Sequence, residues 1–132
     1  MIRFRFLLLC AALAVSPGAS GAEKVSAAEK AALQAAMRQN IDRQLVKGNY
    51  LDLNLSTGIV RTLHPVTAHP MLLRMGEYFV LCTDFRDGSG KPVNVDFYMA
   101  RRAKGFVVFR TEVDNRGPLD RLMGAGKVER LE

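Results

Sequence analysis

The sequence predicts a single α+β domain: an N-terminal helix packed on a curved antiparallel meander of about five strands, with a short C-terminal helix. Three patterns carry this expectation. Apolar residues recur every four positions over 27–47, and every second position from Tyr50 onward. A proline-led apolar segment then follows at Pro118, stopped by Gly124. A helix, then a run of strands, then a helix is the order of an α+β fold.

Residues 1–22 precede that domain and read as a secretory signal. Arg3 and Arg5 stand ahead of the ten-residue apolar run at 6–15, and Ser20-Gly21-Ala22 supplies a small-residue cleavage site. The run is about half of the roughly 20 residues that a membrane-spanning helix needs. Cys10 follows Leu9 inside the run, a poor context for lipidation. Cleavage after Ala22 is therefore expected, leaving residues 23–132 as one domain. A domain of this size hides about two thirds of its unfolded surface. With 48% apolar residues in the whole chain, it has the material for one continuous core.

Removing the signal also removes Arg3, Arg5 and Cys10, so the formal charge falls from +6 to +4 and Cys82 becomes the lone thiol. That excludes an intramolecular disulfide. Val80, Leu81 and Thr83 beside Cys82 favour its burial in a strand. A short signal with two early arginines points to a bacterial periplasm.

Ser26-Ala27-Ala28-Glu29 is a capping box and opens the helix. Leu33, Met37, Ile41 and Leu45 form its apolar stripe, and Lys47-Gly48 is the expected stop near residue 47. Leu51, Leu53 and Leu55 then alternate with Asp52 and Asn54, and Ser56-Thr57-Gly58 turns the chain into a second strand over 59–64. After a proline-bounded loop over 65–70 come residues 71–75, a bulge at Gly76-Glu77, and 78–85. Turns at Asp87-Gly88-Ser89-Gly90 and at 101–105 lead into strands over 93–100 and 106–113. A short helix is expected over 119–123.

Turn symmetry also predicts a register. A turn centred on Ser89 pairs Phe85, Thr83, Leu81 and Phe79 with Val93, Val95, Phe97 and Met99. A turn centred on Ala103 pairs Met99, Phe97, Val95 and Val93 with Val107, Phe109, Thr111 and Val113. These residues share one apolar face, the expected seat of the helix.

A long N-terminal helix cradled by a curved meander resembles the cystatin-like and nuclear-transport-factor-two-like α+β rolls over nearly all of residues 23–132. Gln44-Leu45-Val46-Lys47-Gly48 is similar to the Gln-x-Val-x-Gly loop with which cystatins enter papain-like proteases. Here it falls at the predicted helix end, and the chain has no Trp for the second cystatin hairpin. The likeness implies a fold that hosts enzymes, inhibitors and binding modules alike.

The opposite face of the meander carries the candidate site. The register aligns Cys82, Asp96 and Arg110 in one row and Asp84, Asn94 and Glu112 in the next, with Tyr98 beside Val80 and Val108. Asp96 and Arg110 are thus an expected cross-strand pair. His64 and His69, held in an extended His-Pro loop, are the second candidate. Neither group forms a metal set, since zinc wants three or four ligands and no third joins the histidines. Gly124-Ala125-Gly126-Lys127-Val128 lacks the first glycine and the hydroxyl residue of a phosphate loop. Arg101-Arg102-Ala103-Lys104 is a basic hairpin tip that discourages edge pairing.

The expected function is a non-catalytic periplasmic binding or protein-interaction module, acting without a cofactor on a protein or small polar ligand of the cell envelope. A homodimer is the further assembly considered. Nucleic acid and stable membrane insertion are not expected. The alternative is a small hydrolase- or isomerase-type enzyme with a cleft between helix and sheet, using Asp84 or Asp96 as base with a histidine as acid.

Overall fold

The computed structural model describes residues 24–66 and 70–131. The expected signal, its cleavage point and His69 lie outside the described residues. Ser26 accepts the Glu29 backbone N–H at 3.1 Å, as the capping sequence predicts, and opens α1 (Ala27–Gln44). Leu33, Met37 and Ile41 are the buried stripe.

The helix stops three residues before the expected position, for a local reason. Leu45 is extended, and β1 (Leu45–Val46) folds back on β2 (Asn49–Asn54) through Lys47 and Gly48, with φ of +50° and +78°. Two successive left-handed residues make the primed turn that two-residue hairpins require. The Lys-Gly pair is therefore a hairpin turn, not a helix C-cap.

The chain continues through β3 (Ile59–Pro65), β4 (Met71–Met75), β5 (Tyr78–Arg86), β6 (Pro92–Arg101), β7 (Phe106–Val113), α2 (Gly117–Gly124) and β8 (Glu129–Arg130). All the strands belong to one antiparallel eight-stranded sheet. Its order is β1-β2-β3-β5-β4-β8, with β6 on the other edge of β5 and β7 beyond it.

The strand count thus exceeds the expected five. β1 and β8 have two residues each, too short for periodicity to register. The expected bulge at Gly76-Glu77 is a hairpin turn that splits one strand into two, with Met75 opposite Tyr78. Gly76 at φ +60° supplies its left-handed corner.

The β5–β6 register is the predicted one at every pair, from Phe79↔Met99 to Phe85↔Val93. The β6–β7 register is not. Arg101 faces Phe106 across a four-residue loop, and an irregularity at Tyr98/Met99 then shifts the pairing once more. Phe106 consequently enters the core and Phe109 is 53% exposed, the reverse of expectation. A one-residue slip turns side chains to the other face, and the bulge restores the face for Thr111 and Val113.

Both sides of the sheet are covered at β5 and β6. Leu33, Met37 and Ile41 of α1 sit in one cluster with Leu63, Leu81, Phe85, Val95, Phe97 and Met99. Behind the sheet, Leu119 of α2 and Val128 pack on Leu73, Val80, Cys82 and Tyr98. The C-terminal segment therefore seals the part of the expected polar site around Cys82 and Tyr98, whereas Asp84 and Arg110 stay exposed.

Candidate functional site

Beneath α2 lies an ion pair that the sequence did not announce. Asp96 is 1% exposed and is held at both oxygens by Arg116, with Nη2 donating to Oδ1 at 2.6 Å and Nε to Oδ2 at 3.2 Å. Such a two-point contact gives geometry as well as energy. The expected partner, Arg110, faces Tyr98, and Glu112 occupies the place opposite Asp96. Arg116 reaches in because Asp114, at φ +53°, turns the chain out of β7, its N–H bonding the Asn94 carbonyl at 2.8 Å. Arg116 itself stands at the N-terminus of α2. The missing signal was tertiary: no spacing rule links residues 96 and 116.

The other predicted residues come together as satisfied pairs. Asn94 Nδ2 donates to Asp84 Oδ1 at 2.7 Å, and Asn115 Nδ2 to Glu112 Oε2 at 2.9 Å. Arg110 Nε donates to Glu112 Oε1 at 2.6 Å. The Asn115 and Arg110 contacts hold the Glu112 carboxyl below its usual range. Burial, with Asp96 nearby, raises the Tyr98 hydroxyl above its own.

Cys82 stands opposite Asp96 in the ladder and is buried. Burial foremost, then the Asp96 charge, pushes its thiol far up, so it remains a protonated thiol instead of a nucleophilic thiolate. A cleft of about 290 Å³ opens beside it, lined by Val66, Met71, Cys82, Asp84, Arg86 and Arg116. His64 is exposed and pairs in register with Arg86. Among the described residues, no three His, Cys, Asp or Glu side chains are grouped to hold a metal ion. No described helix is long and apolar enough to cross a membrane.

A second surface stands open. The alternation in β2 is real, but its leucines face outward: Tyr50 is buried with Leu63 against α1, whereas Leu51 is 45% and Leu53 51% exposed, and Leu55, in the turn that follows, is 88% exposed. Val60, opposite Leu53, and Val46, opposite Asn49, extend the same face and are more than half exposed. On the inner face, Arg61 bonds Asp52 at 2.7 Å and Asp114 at 3.3 Å, tethering the hairpin to the end of β7. The apolar outer face is therefore held in place by a folded scaffold, with no described element covering it.

Searches with the chain match no family model, no curated protein and no solved structure.

Proposed function

We propose that this chain is a non-catalytic protein-interaction module, exported to the bacterial periplasm, that docks through the outer face of the β2–β3 hairpin. The observation that carries the reading is that face itself. Val46, Leu51, Leu53, Leu55 and Val60 together leave on the order of 500 Å² of apolar surface in water, the size at which a monomer's largest patch is often functional. The polar face supports the same choice by contrast, because Asp84, Asp96 and Glu112 already accept hydrogen bonds from Asn94, Arg116, Arg110 and Asn115. Export rests on residues 1–22, and an intact mass beginning at Glu23 for the periplasmic product tests it.

The docking surface is tested by placing a photo-crosslinking residue at position 53 or 84 in exporting cells. The expected result is a discrete adduct from position 53, its partner identified by mass spectrometry, that disappears when Leu55→Asp is added. Adducts from position 84 alone, or from neither, reject the reading.

One observation favours a second reading. Residues 44–48 end on the tight turn between β1 and β2, not on a helix cap, and Val46 beside that turn is 51% exposed. A wedge of the cystatin type would insert this turn into a papain-like protease. Titration against papain separates the two, since an interaction module leaves the protease fully active.

A further inference from the structure

We infer that the occupant of the hairpin face is a second copy of this chain, the two outer faces stacked about a two-fold axis. The inference rests on the docking surface proposed above and adds the partner. Charge is the first argument. Residues 46–60 contain two charged side chains, Lys47 in the turn at the edge of the face and Asp52, which turns to the inner face and is held there by Arg61. The chain as a whole is basic, so an acidic partner would be drawn to its arginines and lysines, not to this neutral strip. Two copies, which repel through their net charge elsewhere, meet here with no like charges opposed.

Area is the second argument. About 500 Å² of apolar surface per copy becomes on the order of 1,000 Å² in a pair, the lower bound of a specific interface. The pattern also complements itself. An axis crossing the strands at Leu53 sets the Leu53–Val60 pair of one copy on that of the other, with Leu51 of each copy toward the partner's 55–58 turn, where Leu55 is 88% exposed. The residue that touches its own symmetry mate is the signature of an isologous contact. Stacked sheet faces lie about 10 Å apart, a gap that branched aliphatic side chains fill from both sides.

The test is sedimentation of the processed chain, purified from the periplasm, over about 1 to 200 µM, since association follows mass action. The expected mass is twice that of the monomer at the upper concentrations. Leu53→Asp and Leu55→Asp, both at exposed positions, should each sediment at the monomer mass with an unchanged circular dichroism spectrum and should melt where the wild type melts at its lowest, monomeric concentrations. Phe109→Asp, on another exposed apolar site, should remain dimeric. A wild-type chain that is monomeric throughout, or a Leu53→Asp variant that is still dimeric, overturns the inference. If the wild type is monomeric while position 53 still crosslinks a different protein in cells, the second copy is refuted and the docking surface stands. If neither association appears, both fall.

Discussion

Removing Arg116 isolates the Asp96 carboxylate, and the structure sets the size of the effect. Asp96 is 1% exposed, whereas the Arg116 side chain keeps 25% of its surface. Stripping one partner from a buried pair costs about 3 to 5 kcal/mol because the remaining charge is stranded. The partial exposure of Arg116 lets water reach the site and trims this to about 2 to 4 kcal/mol for Arg116→Met, a large share of the 5 to 15 kcal/mol that stabilises a typical domain. Asp96→Leu leaves a guanidinium that can turn to solvent, so it should cost less. The double variant, with neither charge left to strand, should be more stable than Arg116→Met alone. Urea melts of all four proteins give the cycle, and amide exchange at Leu119 reports whether α2 loosens before the sheet. A cost below about 1 kcal/mol for Arg116→Met, or a double variant as unstable as the sum of the singles, would refute the claim that this pair pins the C-terminal segment.

Other consequences are equally open to measurement. The Cys82 thiol is raised above its unfolded value near 8.5, so the folded state keeps a proton that the unfolded chain gives up. Stability is therefore intact below about pH 8.5 and should fall by about 1.4 kcal/mol per pH unit above it, until the tyrosines join near pH 10. Melts of Cys82→Ala should lack that slope between pH 8.5 and 10. Phe97→Ala removes a fully buried ring and should cost about 3 to 5 kcal/mol, whereas Phe109→Ala, half exposed and in edge contact with Tyr78, should cost less than about 1 in chemical denaturation. Thr83 buries a hydroxyl that has no hydrogen-bond partner among the described residues, so Thr83→Val should raise the melting point by relieving about 1 kcal/mol.

What the residues reveal before folding follows a physical division. Ser26, the α1 stripe and the β5–β6 pairing were legible because capping, helical period and a tight turn act over a few residues. The β6–β7 pairing was not, since loop length and bulge together decide the face, and either can shift by one residue without altering composition. Phe106 and Phe109 look alike in sequence, and only the bulge separates the buried ring from the exposed one. The alternation over 51–55 announced a strand but not its inside: Tyr50 and Leu63 against α1 settled that through tertiary packing. For the candidate site, Asp84, Asn94, Asp96 and Cys82 were aligned correctly. The covering of Cys82 by α2, and the Arg116 that holds Asp96, depend on a chain reversal at Asp114 that short-range rules do not encode.

That reversal gives the Cys82 thiol its cover. Cys82 is laid into the sheet by β4, β5 and β6, yet its cover comes from residues after β7, with Leu131 N–H bonding the Leu72 carbonyl at 3.0 Å and β8 pairing with β4. Residues 117–131 therefore decide whether the sulfur meets solvent. Any change that loosens this C-terminal strap, in the strap itself or in the Asp96–Arg116 clasp, uncovers Cys82 without touching the cysteine.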